Sequence, residues 1–433
     1  MKGRKIRGST PRRKAAMVAV AAMVTSLAAA CSSGNDGEVI INLYGGAAAS
    51  GFDSIIADCN AEANGRYTIV GNLLPSTADG QREQMVRRLA AGDSSMDLLG
   101  MDVVWTAEFA EAGWIHELTP EQVAQANEDT LQATIDSTLW PDKDGNVKQY
   151  GIPKHTNVQI LWYRKDLVPT PPATWEEMMS MAEQLKAEGK PHEIGLTAAQ
   201  YEGYVVNVNT FVNGFGGSLV NEDSTKATVT DGDGALQALD LLNTLANSGL
   251  TSASLSNDTE TEIFAELQND KSAFSINWPY VGSAMNTANP EMAEKLGFAI
   301  YPSFVAGQPV RVTTGGMNYA ISKFSEHPDE TFEAAMCLRN PAHQLETSLE
   351  AGDPPVLESI YQEPEFREGY PMGDVMLEEL QTAVPRPISP LYQNISTIIS
   401  TTLSPPRDIN PEASAQELND QIQNAIDGKG ILP

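Results

Sequence analysis

The 433-residue chain carries 57 Asp and Glu residues against 28 Lys and Arg residues, which gives a formal net charge of −29 at pH 7. So large an excess of negative charge argues against nucleic acid or an anionic membrane surface as a partner of the folded body. A chain of this length can bury a large core and is long enough for two lobes or domains.

The first thirty residues predict a secretion signal. Seven basic residues and no acidic one precede an apolar run that starts at Ala15 and ends in "SLAAAC". The run is about sixteen residues long, which is short for a membrane span of roughly 20. Its end resembles the lipobox of bacterial lipoproteins, which implies that 1–30 is a lipoprotein signal peptide, that Cys31 is acylated and that 31–37 is a flexible tether. An ordinary signal peptide with an incidental cysteine is the alternative. Without residues 1–30 the net charge becomes 21 − 57 = −36.

The rest of the chain has the pattern of alternating strands and helices. β-rich runs at 38–46 and 67–74 flank a segment with helical apolar spacing, which predicts a β-α-β beginning. A helix, a short strand and a further helix follow, so we expect an α/β fold with a mainly parallel sheet. The second half repeats this character, with helices at 235–248 and 260–269 and strands near 272–278, near 297–301 and in "GGMNYAIS".

Besides Cys31 the chain has two cysteines, Cys59 and Cys337. In a protein outside the cytoplasm two such cysteines often pair, and a bond between them would tie late chain to early chain. We therefore expect a disulfide, with two buried free thiols as the alternative.

Several segments carry a family resemblance through their order: "WTAEFAEAGWIHEL", "QYGIPKHTNVQILWYRKDLVPTPPATWEEM", "KSAFSINWPYVGSAM" and "TTGGMNYAISKFSEHPDETFEAAMCL". The chain resembles the extracellular solute-binding proteins of ABC importers, in the family that contains maltose- and other oligosaccharide-binding proteins. Within it, "TADGQREQMVRRLAAGDSSMDLLGMDVVW" and "VPRPISPLYQNIS" are most similar to the trehalose-binding lipoproteins of actinobacteria.

The resemblance implies an α/β, two-lobed periplasmic-binding-protein-like fold with hinge crossovers and a ligand cleft between the lobes. Lobe I would comprise 38–155 plus 313–358, and lobe II 156–312 plus 359–433. The resemblance also implies a binding protein rather than an enzyme. This binding protein would use no cofactor, and its ligand would be a disaccharide, with trehalose as the first candidate. It would deliver the ligand to the permease subunits of the importer, which are coupled to the ATPase. We expect a monomer held at the outer face of the cell membrane by lipidated Cys31 alone.

Sugars present paired hydroxyls and apolar faces, so their sites combine planar polar side chains with aromatic rings, often at the carboxyl ends of strands. Asp102 ends a strand and matches an acidic sugar ligand of the trehalose binders, the alternative being a helix N-cap. Gln81 matches a binding position of the same family, with a surface glutamine as its alternative. Asn157, at a predicted lobe crossover, offers the same donor and acceptor pair, with a turn asparagine as its alternative.

In "AFSINWPY" apolar residues alternate with Ser and Asn, as on one face of a strand that Pro279 ends. Phe274 and Ile276 are therefore expected in the core. Trp278 comes last and is expected to reach the cleft, where its ring would stack on a sugar face. Tyr280 is a second aromatic candidate, with packing against the next helix as its alternative.

Three further candidates complete the predicted site. Gly316 would let the backbone approach the ligand, the alternative being hinge or turn geometry. Arg386 stands between two prolines that limit its backbone and could aim its guanidinium at sugar oxygens, the alternative being a solvated salt bridge. Glu260 would contribute from a lobe II loop. The loop after the first strand, "YGGAAASG", leaves Tyr44 as its only sizeable side chain, so backbone or water is expected to make the contacts there.

Two other classes of function compete with this interpretation. A glycoside hydrolase needs a pair of carboxylates, but the sequence has no HExxH, GxSxG or P-loop motif to support an enzyme. The histidines show no ligand spacing, and "DKDGN" predicts a hairpin turn rather than a calcium loop, so no metal is expected. A binder of another oligosaccharide, a polyol or a peptide stays open.

Overall fold

The computed structural model describes residues 38–45 and 52–429. The predicted signal peptide, Cys31 and the tether lie outside these ranges, as does 46–51 of the loop after the first strand. Within the two ranges, no helix combines the length and the apolar character that crossing a membrane requires.

The described strands are arranged in two larger sheets and one hairpin. In chain order they are β1 (Ile40–Gly45), β2 (Thr68–Leu73), β3 (Leu98–Asp102), β4 (Leu139–Pro141), β5 (Val147–Gln149), β6 (Ile152–Asn157), β7 (Ile160–Arg164), β8 (Glu193–Gly195), β9 (Ser272–Asn277), β10 (Leu296–Ala299) and β11 (Gly315–Ile321). The first sheet has the order β2-β1-β3-β11-β6, and the second has the order β10-β7-β9-β8. β4 and β5 form the hairpin that "DKDGN" predicted.

The helices lie between and after these strands. In chain order they are α1 (Phe52–Glu62), α2 (Ala78–Ala90), α3 (Thr106–Glu111), α4 (Pro120–Asn127), α5 (Gln132–Asp136), α6 (Trp175–Ala187), α7 (Glu202–Gly214), α8 (Gly234–Ser248), α9 (Glu260–Gln268), α10 (Val281–Ala288), α11 (Pro290–Ala293), α12 (Pro328–Leu338), α13 (Pro341–Ala351), α14 (Pro364–Gly369), α15 (Gly373–Leu380), α16 (Tyr392–Thr402) and α17 (Pro411–Ile426).

Helices cover the first sheet on both faces, because its strands are apolar at successive positions. Leu98 and Leu99 of β3 are both fully buried, yet they belong to different hydrophobic clusters, as expected when neighbouring side chains point to opposite faces. One cluster includes residues of α1 and α12, and the other includes residues of α2 and α3. The β-α-β beginning is therefore confirmed.

The expectation of a mainly parallel sheet holds for the strand directions of the first sheet, with β11 as the exception. β1 pairs parallel with β2 and β3, but β11 pairs antiparallel with both β3 and β6. The reason lies at one end of the sheet: β6 leaves it at Asn157, and β11 enters it at Gly315, which pairs with Asn157. A strand that enters where its neighbour leaves must run in the opposite direction.

All strands of the second sheet come from one stretch of chain, between Ile160 and Ala299. Its inner strand β9 lies between β7 and β8 and is buried along its whole length, including Ser275 and Asn277. The polar positions in this strand therefore do not mark a face open to solvent. The lobe limits expected from the resemblance stay a prediction.

A disulfide joins Cys59 of α1 to Cys337 of α12, with an S–S distance of 2.03 Å. Both helices pack against the same cluster of the first sheet, so the bond lies within one layer of the structure. His343 lies beside it, with Nδ1 3.8 Å from Cys59 Sγ, and the three side chains form a group of potential metal ligands. Because cysteine binds metal as the thiolate, the two cysteines cannot act as metal ligands while the disulfide is formed.

Glu379 of α15 predicts a pH dependence of stability. It is buried and accepts a hydrogen bond from the backbone N of Tyr301, and burial raises the pKa of its carboxyl from 4.5 to about 8. Between these two pKa values the unfolded chain has lost the proton that the folded chain keeps. The free energy of unfolding should therefore fall as pH rises through this window, by up to about 1.4 kcal/mol per pH unit.

Replacing Glu379→Gln should remove this contribution, so the variant gains stability relative to the wild type as pH rises from 5 to 8. Urea unfolding across this range measures it, and Glu368→Gln, at an exposed position of α14, is the control. Parallel pH profiles for wild type and Glu379→Gln would contradict the argument.

Candidate functional site

A cavity of about 690 Å³ opens where strand ends of the first sheet meet the segment after β9. Gly45 at the end of β1, Asn157 at the end of β6 and Gln81 of α2 line it, together with Trp278 and Tyr280. The buried Oδ1 of Asn157 has no hydrogen-bond partner among the described residues. The volume falls in the range of about 300–1,000 Å³ that is typical of small-molecule sites. The structure thus brings four of the predicted site residues together in one cavity.

Hydrogen bonds and close packing hold Trp278 in place. Its backbone N donates to Asn277 Oδ1 at 2.8 Å, and its carbonyl accepts from Trp162 Nε1 at 3.2 Å. The indole lies against Gly315, where an added Cβ would come within 2.9 Å of ring carbon Cη2. A glycine at this position therefore makes room for the ring, and a larger residue would displace it.

Glu260 does not line the cavity, but it holds the aromatic wall, by which we mean Trp278 and Tyr280. One carboxylate oxygen lies 3.5 Å from Trp278 Nε1, and the backbone carbonyl accepts the hydroxyl of Tyr280 at 3.2 Å. Tyr201 donates its hydroxyl to the other carboxylate oxygen. In this geometry Glu260 orients the ring of Trp278 without lining the cavity itself.

Asp102 and Arg386 also lie outside the cavity lining, and they bind each other. Arg386 is only 3% exposed; its Nη2 donates to Asp102 Oδ1 at 2.7 Å and its Nη1 donates to Glu202 Oε1 at 2.6 Å. Glu202 also accepts the hydroxyls of Tyr392 and Ser396. Burial alone would lower the pKa of Arg386, but the neighbouring carboxylates Asp102 and Glu202 raise it above its ordinary value.

Asp102 also fills the capping role that was its alternative. Its Oδ1 accepts the backbone N of Val104 at 3.1 Å, at the start of a single 3₁₀ turn. The carboxylate therefore has two protein donors, and a ligand would have to share or replace them.

Like Arg386, Asp79 of α2 makes hydrogen bonds between distant parts of the structure. The sequence did not indicate this role, because an acidic residue in the first turn of a helix is ordinary. Its Oδ2 accepts the backbone N of Glu202 at 3.1 Å, and its Oδ1 accepts Gln393 Nε2 at 2.8 Å. α2 packs against the first sheet, whereas α7 and α16 belong to the hydrophobic cluster of the second. The bridges of Asp79 and Arg386 therefore connect the two halves of the structure.

Gly316 and Tyr44 have local roles outside the cavity lining. Gly316 has a φ of +122°, and a Cβ there would come within 2.4 Å of the carbonyl oxygen of His155 in the neighbouring strand. Strand pairing thus accounts for this glycine. Tyr44 is buried, with the guanidinium carbon of Arg88 4.3 Å from its ring centroid.

The cavity also contains ionisable residues that the sequence did not indicate. Lys154 and His155 of β6 line it together with Asp353, which follows α13. Lys154 Nζ lies 3.0 Å from His155 Nδ1, and Asp353 Oδ2 lies 3.4 Å from the same ring nitrogen. Burial lowers the pKa of His155 to about 4, so the ring is neutral at pH 7. Burial also lowers the pKa of Lys154, and the nearby carboxylate of Asp353 opposes this effect. The polar run "KHTN", which ends with Asn157, was a signal for Lys154 and His155 in the sequence, whereas Asp353 had none.

Comparison with known proteins identifies the family of this chain. The family model for bacterial extracellular solute-binding proteins matches residues 49–345, and the chain belongs to this family. A Deinococcus radiodurans protein described as an ABC transporter-binding protein is 25% identical over 371 residues, which are 82% of this chain and 85% of the relative.

Solved structures show the same architecture. Maltose-bound MalE3 of T. maritima superimposes with a TM-score of 0.80 at 25% identity and covers 89% of this chain and 99% of its own. An ABC transporter solute-binding protein of Thermotoga lettingae, bound to α-D-tagatose, gives 0.80 at 21% identity over 90% of this chain and 100% of its own. The two-lobed periplasmic-binding-protein-like α/β fold is therefore confirmed.

The Arg386 contacts predict a large structural cost for losing the guanidinium. Arg386→Leu would leave buried Glu202 and partly buried Asp102 without their cation, so we expect the free energy of unfolding to fall by about 3–5 kcal/mol. Chemical denaturation measures this. Lys226→Leu, which breaks the exposed Lys226–Asp231 pair, is the control and should change stability little. Wild-type stability of Arg386→Leu combined with lost ligand binding would instead make Arg386 a ligand residue.

Proposed function

We propose that this chain is the substrate-binding component of an ABC sugar importer and that its ligand is a disaccharide, trehalose before others. In this proposal lipidated Cys31 holds it at the outer face of the cell membrane, and it passes the sugar to the permease without chemical change. The observation that carries the proposal is the aromatic wall of Trp278 and Tyr280 in one cavity with the amides of Gln81 and Asn157.

The chemistry of this cavity suits a sugar. An indole face can cover the C–H face of a pyranose ring, while amide side chains both donate to and accept from its hydroxyls. Maltose in MalE3, which shares the fold at 25% identity, supports a carbohydrate ligand. The resemblance to trehalose-binding lipoproteins noted above supports trehalose as the first sugar to test.

The proposal assigns a mechanical role to the residues around the cavity. Lobe I (38–155 plus 313–358) and lobe II (156–312 plus 359–433) would close over the sugar by motion at the crossovers, and the permease would recognise the closed form. Asp102, Glu260, Gly316 and Arg386 then support the site, and the bridges of Arg386 and Asp79 would join the lobes when closed.

Titration of tryptophan emission tests the proposal directly. The ligands are trehalose, maltose, cellobiose, a polyol and a short peptide, with calorimetry to confirm each response. We expect trehalose to change the emission and raise the melting temperature, because a ligand that binds the native state stabilises it. A response to another ligand alone would overturn the trehalose assignment, and a response to the peptide alone would overturn sugar binding. Release of free glucose from trehalose or maltose would overturn the binding-only function.

The variant Trp278→Ala tests the aromatic wall. Loss of the buried ring contact should weaken sugar binding by about 1.5–3 kcal/mol. Trp140→Ala is the matched control, because Trp140 is also partly buried and donates its indole N–H to a glutamate, Glu111, but lies outside the cavity lining. If Trp278→Ala and Trp140→Ala bind the sugar with equal affinity, the ring of Trp278 does not contact the ligand.

A further inference from the structure

One part of the cavity is rich in hydrogen-bonding groups that the protein itself does not use. It is formed by Lys154, His155, Tyr319 and Asp353, and all four line the cavity. β6 is the edge strand of the first sheet, and the chain that carries Asp353 runs along its open side, where Thr156 N donates to the carbonyl of Pro354 at 3.1 Å. Fold contacts therefore hold these groups in place.

Three of these side chains have unused hydrogen-bonding capacity among the described residues. Lys154 can donate three hydrogen bonds, but Nζ has one acceptor, His155 Nδ1, and the carboxylate of Asp353 is 3.8 Å away. Asp353 Oδ2 lies 3.4 Å from His155 Nδ1 and 3.8 Å from Lys154 Nζ, and its carboxylate accepts no short hydrogen bond from a donor of the described chain. Tyr319 is 1% exposed, and its hydroxyl has no partner in the described chain.

The distance between these side chains and the ring of Trp278 indicates how long the ligand is. The ring of Trp278 lies against Gly315, which pairs with Asn157, and Lys154 is three residues earlier on the same strand. At about 3.3 Å per residue, the two places are separated by about 10 Å along β6. One hexose ring does not span that distance, whereas two linked rings do.

We propose that Lys154, Tyr319 and Asp353 form a second sugar subsite, which binds the hydroxyls of the unit that lies beyond the one stacked on Trp278. This inference rests on the proposed sugar-binding function and extends it: the ligand has at least two glycosyl units. An amine, a carboxylate and a hydroxyl side by side both donate and accept, as sugar hydroxyls do.

Tyr319→Phe is the sharpest test, because it removes one hydroxyl that has no protein partner. Affinity for trehalose and maltose, measured by calorimetry, should fall about 2- to 10-fold for one lost hydrogen bond, with the unfolding midpoint unchanged. Tyr301→Phe is the matched control, since Tyr301 is also 1% exposed with an unpartnered hydroxyl but does not line the cavity. It should bind both sugars like the wild type.

Lys154→Met and Asp353→Asn provide independent readouts that do not depend on the tyrosine. Lys154→Met removes the amine and Asp353→Asn replaces the carboxylate, both of which would bind ligand hydroxyls, and each variant should lower the disaccharide affinity about 10-fold or more. A wild type that binds trehalose or maltose, with unchanged affinity in all three variants, would overturn the subsite and leave the proposed function standing. A wild type that binds neither sugar, while another ligand binds, would overturn the proposed function itself.

Discussion

The buried guanidinium of Arg386 is the contact on which the arrangement of the two sheets depends. It holds Asp102 at the end of β3 and Glu202 at the start of α7, and so joins an element of the first sheet to a helix packed on the second. A buried cation needs partners that replace water, and here two carboxylates supply them. Asp102 and Arg386 lie outside the cavity lining, so in this structure their contact joins the two halves rather than lining the site.

The cavity shows how much of a binding site consists of residues that never touch its interior. Trp278 faces inward because Gly315 leaves room for the indole and because Glu260 lies behind its N–H. Gln344 lines the cavity and also supports β6: it donates to the carbonyl of Lys154 and accepts the backbone N of Val356. Ligand-facing side chains can be few when supporting groups remove their freedom to move.

The sequence predicted features that depend on neighbouring residues, but it did not predict contacts between residues far apart in the chain. Apolar spacing and turn residues predicted the β-α-β beginning and the core positions of Phe274 and Ile276, both of which are buried. The expected Cys59–Cys337 pairing rested on compartment and count rather than on geometry. The contact between Asp102 and Arg386 joins residues 284 positions apart, so no local pattern could show that they would bind each other. The same holds for Asp353, which meets Lys154 only because its segment runs along the edge of β6.

The place of β11 also sets an order for folding. β11 separates β3 from β6, yet it follows the whole second sheet in the chain. Until Ile321 has been synthesised, β3 and β6 each have an unpaired edge, whereas the strands of the second sheet are already complete. Pairing across so many residues is slow, and unpaired edges attract other chains. The new chain is therefore most exposed to aggregation in its first half, and a chaperone that covers these edges would protect it until β11 arrives.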